Sequence, residues 1–181
     1  KGKTKSGFET TFGVCHMGHF LLTDLLLPAL KQSDEARIIN VASMMHRLAK
    51  TIDLDKQTKP TQSATGLKEY GVAKLANILF TRSLAKKLEG TSITSYSLHP
   101  GAVATDVYRQ LPRFLQPVIK LFMLTPEEGA STTLYLASAP VSVLQNGAYY
   151  VNSREQAPST AGRDNELAER LWQRSEEWLA G

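Results

Sequence analysis

The chain has 181 residues, of which 42% are hydrophobic and 21% charged, a mixture typical of one folded domain and not of a disordered tail. The net charge is +4 and the basic residues are spread along the sequence, which argues against a nucleic-acid partner. The single cysteine excludes an internal disulfide and fits a reducing compartment.

The amino-terminal part of the chain predicts a helix followed by a buried strand. Apolar residues recur at helical spacing over residues 7–31, and Ser6 is suited to cap this helix. The run over 36–43 is rich in β-branched residues, which predicts a strand buried on both faces.

A loop, a second helix and a second strand follow. Residues 44–66 are polar and predict a long loop. Residues 67–88 predict a helix, which Gly90 ends. Residues 91–101 predict a strand that finishes at a Pro-Gly pair.

The last third of the chain predicts a helix, a short strand and a closing helix. Thr125 is suited to the cap position and Pro126 to the first turn, with acidic residues at the positive end of the helix. Residues 147–151 predict the third strand, and the amphipathic pattern over 165–180 predicts the last helix.

The alternation of strands and helices predicts an α/β fold with a parallel sheet, the carboxyl-terminal part of a doubly wound, Rossmann-type domain. Three strands are few for such a sheet and would leave its outer edge exposed. The twelve glycines contain no G-x-G-x-x-G pattern, and the chain does not open with a methionine. We therefore expect residues 1–181 to be a single partial domain, whose missing part precedes Lys1.

No segment is predicted to cross a membrane. The most apolar runs, 20–30 and 114–124, are short for a span and are interrupted by Asp24 and Lys120. The first residues show no signal-peptide pattern. We expect an intracellular protein, either cytoplasmic or associated with a membrane on its cytosolic side.

A phenol and an ammonium lie four residues apart in the second helix. Tyr70 and Lys74 share one side of that helix, and Ser43 ends the first predicted strand. Ligands of doubly wound sheets bind beyond the carboxyl ends of the strands, so the three side chains are expected to converge there. A nearby ammonium favours a phenolate, which suits general acid–base chemistry.

Several stretches in this order resemble the short-chain dehydrogenase/reductase family, and in particular its retinol dehydrogenase-like branch. A Tyr-x-x-x-Lys spacing is common by chance, but its order after a serine-ended strand and before a Pro-Gly turn is specific. The stretches are GFETTFGVCHMGHFLLTDLLLPALK, RIINVAS, YGVAKLANILF, SLHPGAVATDV and TPEEGASTTLYLA.

The resemblance implies an oxidoreductase that transfers a hydride between NADP or NAD and an alcohol or carbonyl compound. Tyr70 would exchange a proton with the substrate oxygen, and Lys74 would tune Tyr70 and hydrogen-bond the nicotinamide ribose. Ser43 would hold the substrate oxygen. The residues expected to line the nicotinamide and the nearby phosphate are Pro100, Gly101, Val103 and Thr105.

Two features depart from the family pattern. The first helix of the family usually reads N-H-x-G-H-F, whereas this chain has Cys15 in place of the asparagine. That asparagine helps to organise a water beside the lysine, and a thiol is a poor donor and acceptor. The glycine-rich phosphate loop and the selector between NAD and NADP would precede Lys1, so the chain alone is expected to be inactive.

Other chemistries have weaker support. Cys15, His16 and His19 have the spacing of a metal cluster, but no fourth ligand lies nearby in sequence and we expect no metal. Ser43 with His46 suggests a hydrolase, but the G-x-S-x-G elbow and an acidic partner are missing. An epimerase or dehydratase that uses the same Tyr–Lys pair stays open, as does a catalytically impaired relative or binding protein.

The substrate prediction depends on the apolar segment over 107–124, which follows the Pro-Gly turn. Its position is that of a lid over the nicotinamide site. We expect a small lipophilic alcohol or aldehyde, retinoid- or fatty-aldehyde-like, with peripheral membrane contact. Ordinary packing on the sheet is the alternative for this segment, and the sequence leaves the oligomeric state open.

Overall fold

The computed structural model describes residues 2–101 and 124–181 of the chain. Within them, helices and strands alternate along most of the sequence, and short 3₁₀ turns connect them. The elements are α1 (Thr10–Leu30), β1 (Ala36–Val41), α2 (Leu67–Lys87), β2 (Ile93–His99), α3 (Pro126–Ser138), β3 (Tyr149–Val151), β4 (Arg154–Gln156) and α4 (Asn165–Ala180).

The sheet has the order β1-β2-β3-β4, in which the first three strands are parallel and β4 is antiparallel to β3. Val41 is in register with Leu98, and His99 with Val151. The carboxyl ends of β1, β2 and β3 therefore meet at one edge of the sheet, as the α/β prediction requires.

Helices cover both faces of the sheet. Ile38 packs into a cluster with Phe20 of α1 and Trp172 of α4, whereas Ile39, the next residue of β1, packs against the cluster that includes Leu136 of α3. Neighbouring residues of a strand point to opposite faces, so α1 and α4 lie on one side and α3 on the other. The doubly wound arrangement is confirmed.

The start of α1 differs from the prediction. The helix begins at Thr10, and its cap is Glu9, whose Oε2 accepts a hydrogen bond from the Phe12 amide at 2.8 Å. Ser6 is not the cap, because the chain before the helix folds back and the backbones of Lys3 and Glu9 form an isolated antiparallel β-bridge. The stretch Gly13–Met17 inside α1 is π-helical.

The prediction for the first strand needs correction, and one strand was not predicted. β1 ends at Val41, two residues before Ser43, and only Ala36 and Asn40, which lie on the same face, are fully buried. β1 lies at the edge of the described sheet, which explains why Val41 is 40% exposed. β4 was not predicted, because its tight turn uses left-handed Asn152 and Ser153 where a sequence signal would be glycine.

The other helices were predicted close to their observed bounds. α3 begins with a capping box, in which Thr125 accepts from the Glu128 amide and Glu128 accepts from the Thr125 amide. The predicted loop over 44–66 is not uniform, since it contains the 3₁₀ turns Met44–Leu48 and Leu54–Thr58.

The membrane prediction underestimated α1. With 21 residues, Thr10–Leu30 is by length and composition long and apolar enough to cross a bilayer, because Asp24 does not end the helix. One side of the helix is nevertheless part of the protein core. Phe20 packs against Phe80 of α2 and Trp172 of α4, at centroid distances of 5.3 and 5.0 Å.

His16 is the most deeply buried ionisable group of α1. Its ring has no exposed surface, lies 4.9 Å from the Phe12 ring, and its Nε2 is 3.2 Å from the Ser175 hydroxyl of α4. Burial, with a smaller contribution from the charge of His19, lowers the pKa of His16 from 6.5 to about 3. His16 is therefore neutral in the folded chain near pH 7.

Acid is expected to destabilise the fold through His16. Between pH 6.5 and about 3 the unfolded state binds a proton at this residue and the folded state does not. The free energy of unfolding should therefore fall by up to about 1.4 kcal/mol for each pH unit below 6.5. Denaturant titrations at several pH values measure this slope, and His16→Leu should reduce it by nearly one proton. An unchanged slope in that variant would contradict the assignment.

Candidate active site

Lys74 ties α2 to the end of β1. Its side chain is buried, with 7% exposure, and its Nζ donates to the main-chain oxygen of Val41 at 2.8 Å. Asn77, one turn further along α2, donates to the same oxygen at 3.3 Å. The second and third turns of α2 thus lie across the carboxyl end of β1.

Tyr70 lies one turn before Lys74 and is half-buried. The Nζ of Lys74 is 5.5 Å from the centroid of the Tyr70 ring, which is within cation–π distance. The spacing of four residues therefore does place the phenol and the ammonium side by side.

Ser43 lies two residues beyond β1, at the same edge of the sheet. Its Oγ accepts from the Met45 amide at 3.2 Å, which starts the turn Met44–Leu48, and within residues 2–101 and 124–181 the hydroxyl proton has no acceptor. This turn packs directly on α2, since a Cβ placed on Gly71 would lie 2.9 Å from the Met45 oxygen. The glycine next to Tyr70 thus permits the close approach of the Ser43 segment.

Pro100 and Gly101 follow β2, the strand beside β1. The Ala42 amide donates to the Leu98 oxygen, so the two strand ends are neighbours. Gly101 has a φ of +88°, a left-handed conformation that favours glycine. Val103, Thr105 and residues 107–123 of the predicted lid lie outside the described residues.

Two residues of α1 lie near Lys74. Burial lowers the pKa of Lys74, and Cys15 acts in the opposite direction. Burial and the charge of Lys74 both lower the pKa of His19. Cys15 belongs to the π-helical stretch of α1, a distortion without a signal in the sequence pattern.

The structure gives no support to the metal and hydrolase alternatives. In residues 2–101 and 124–181 no three metal-ligating side chains come together, and His16 points into the core. His46 uses both ring nitrogens on the backbone. Its Nδ1 donates to the main-chain oxygen of Ser43 at 2.7 Å, and its Nε2 accepts from the Ser159 amide at 3.0 Å. Neither nitrogen bonds to the Ser43 hydroxyl that a hydrolase would activate.

Two clefts of the described chain lie away from this edge. One, of about 710 Å³, is lined by α2, β3, β4 and α4, and the other, of about 440 Å³, by the loop before α2. Neither is lined by the residues predicted from the sequence. The candidate site is therefore the open edge formed by Ser43, Tyr70, Lys74, Pro100 and Gly101, to which the structure adds Asn77.

The chain is similar in sequence to known proteins. The sequence model described as Enoyl-(Acyl carrier protein) reductase matches residues 2–153. Retinol dehydrogenase 12 of Homo sapiens is 44% identical over 98% of this chain and 56% of its own length, so the chain spans about half of the curated relatives it matches.

Two solved structures are similar in fold and sequence. An uncharacterized protein from Mycobacterium Paratuberculosis has a TM-score of 0.71 and 30% identity, over 97% of this chain and 60% of its own. A 3-oxoacyl-[acyl-carrier protein] reductase with bound NAD, from Brucella melitensis, has a TM-score of 0.52 and 25% identity, over 75% of this chain and 46% of its own. Together with the match over residues 2–153, these similarities show that the chain belongs to the short-chain dehydrogenase/reductase family.

Proposed function

We propose that this chain is the catalytic part of an NAD(P)-dependent oxidoreductase that interconverts alcohols and carbonyl compounds. The observation that carries the proposal is the pairing of Tyr70 with Lys74 at the carboxyl edge of the sheet, with Lys74 anchored at 2.8 Å on the Val41 oxygen. This pairing brings a proton donor and a fixed cation to the place where doubly wound sheets bind ligands.

Each residue has a distinct task in the proposed reaction. The Tyr70 hydroxyl gives its proton to the substrate oxygen during carbonyl reduction and takes it back during alcohol oxidation. The hydroxyl proton of Ser43 holds the same oxygen in place. A bound nicotinamide supplies or accepts the hydride, while the protein provides position and the proton.

The donor groups of the site fit a nicotinamide nucleotide. Lys74 has three N–H groups, and the described part of the chain uses one of them, at Val41, so the other two can donate to ribose hydroxyls. Gly101 is left-handed and a Cβ on it would overlap the Leu124 side chain, so this position after β2 requires glycine. The relative from Brucella melitensis was solved with NAD, which also favours this class of cofactor.

The substrate is proposed to be a lipophilic alcohol or aldehyde, as the retinol dehydrogenases named among the relatives suggest. The described residues supply apolar surface at the site. Met44, next to Ser43, is 53% exposed, and Leu48 and Leu67 are 58% and 50% exposed. These side chains flank Ser43 and Tyr70, where an apolar substrate chain can cover them.

Specificity should rise with the length of the substrate chain. Burial of each additional methylene contributes about 0.8 kcal/mol, so kcat/KM should rise about fourfold per methylene until the apolar surface is filled. The measurement follows nicotinamide absorbance for straight-chain aldehydes from acetaldehyde to decanal, with NADPH and with NADH. The chain is assayed together with its own upstream sequence.

The results separate the two levels of the proposal. Turnover with a flat length profile, or a preference for small polar carbonyls, would reject the lipophilic substrate and keep the oxidoreductase. No turnover with either cofactor would reject the oxidoreductase and favour a binding protein of the same fold.

A further inference from the structure

The carbonyl group of Val41 is held by side chains. The Ala42 amide donates to Leu98 of β2, and the two ends of a trans peptide group point in opposite directions. The Val41 oxygen therefore points away from β2. Among the described residues, its donors are the side chains of Lys74 and Asn77.

Asn77 is fully buried, and on the side away from Val41 it has His16 as its polar neighbour. Its Oδ1 and the Nδ1 of His16 have no hydrogen-bond partner within the described part of the chain. The Asn77 side chain is nevertheless close enough to favour protonation of His16, against the effect of burial. The two atoms become a donor and an acceptor for each other when the His16 proton is on Nδ1.

The far end of this contact fits that tautomer. With its proton on Nδ1, His16 has a lone pair on Nε2, which lies 3.2 Å from the Ser175 hydroxyl. The Ser175 hydroxyl is fully buried and can donate to this nitrogen or to the Leu171 oxygen at 2.8 Å. In this tautomer, a contact between His16 Nδ1 and Asn77 Oδ1 would link the observed pair Ser175–His16 to the observed pair Asn77–Val41.

We propose that Asn77 and His16 are positioning residues that fix the Val41 carbonyl and thereby hold the Lys74 ammonium beside Tyr70. The importance of this placement for catalysis rests on the proposed function. The claim that Asn77 and His16 determine where Lys74 is held does not rest on the proposed function. Asn77 is oriented by His16 from one side, so its amide N–H points at the carbonyl on the other.

The matched pair of variants is Asn77→Leu and Thr81→Val. Both exchange a fully buried polar side chain of α2 for an apolar one of similar shape. Thr81, about two helical turns from Lys74, bonds to Asn40 and to the Asn77 main-chain oxygen. Both variants are therefore expected to lower the melting temperature, but Asn77→Leu alone removes a donor from Val41.

The first readout is the pKa of Lys74, followed by NMR of the labelled lysine side chain and assigned with Lys74→Met. Burial lowers this pKa, Cys15 and His19 of α1 lie near enough to affect the titration, and the Tyr70 ring lies beside the ammonium. Asn77→Leu should release Lys74 and raise its pKa toward the ordinary value, whereas Thr81→Val should leave it unchanged. The second readout is the KM for the nicotinamide cofactor, which should rise about tenfold in Asn77→Leu only.

The experiment uses the chain with its upstream sequence. An identical Lys74 pKa in wild type and Asn77→Leu would overturn the proposal, as would equal shifts in both variants. If Asn77→Leu does not fold, Ser175→Ala removes the hydroxyl next to His16 and should shift the Lys74 pKa by a smaller amount in the same direction. Absence of turnover in the wild type would reject the proposed function, while the Lys74 titration would still decide the positioning role.

Discussion

Replacement of Tyr70 by Phe is expected to lower kcat/KM by about 10³-fold, with no change in fold. A positioned general acid contributes between about 10² and 10⁴ to the rate, and this variant loses only the oxygen that carries the proton. The ring stays and keeps its place beside the Lys74 ammonium, 5.5 Å from the centroid. The melting temperature should therefore remain close to that of the wild type.

Tyr149→Phe is the matched control for this variant. The Tyr149 hydroxyl is buried, it has no partner among the described residues, and burial raises the pKa of Tyr149 to about 12. This phenol lies on β3 and bonds to none of the predicted site residues, so its removal should leave kcat/KM unchanged. Near-normal turnover of Tyr70→Phe would remove Tyr70 from the mechanism, and an equal loss in both variants would point to a general effect on the sheet.

The features predicted well from sequence are those set by neighbouring residues. Thr125, Pro126 and Glu128 determine the start of α3 by contacts within one helical turn, and the apolar periodicity of α4 extends over its whole length. The spacing of Tyr70 and Lys74 was informative for the same reason, because residues four apart must share one side of a helix.

The features missed by sequence depend on distant parts of the chain. Glu9 became the cap of α1 in place of Ser6 because its carboxylate also accepts from Thr61, which lies beyond the first strand. The role of Asn77 was hidden because its acceptor is a main-chain oxygen 36 residues away, and a backbone atom leaves no signal in the sequence.

Replacement of Lys74 by Met should separate activity from stability. The ammonium is buried and its pKa is lowered chiefly by that burial, so the charged group makes folding less favourable than an apolar side chain of the same length would. Met fills the same space, and Asn77 still donates to the Val41 oxygen. We expect the melting temperature to stay unchanged or to rise.

Activity should move in the opposite direction, because two functions are lost with the ammonium. Without the cation Tyr70 loses its charged neighbour in the proposed reaction, and the ribose loses its proposed donors, so kcat should fall and the cofactor KM should rise together. We expect a loss of 10²-fold or more in kcat/KM, about that of a missing acid–base partner.

Lys68→Met is the control, since Lys68 is an exposed lysine in the first turn of the same helix. A fall in melting temperature that matches the loss of activity would show that Lys74 mainly supports the fold. A stable and inactive variant would show that a buried cation is retained at the end of β1 for chemistry, at a cost in stability.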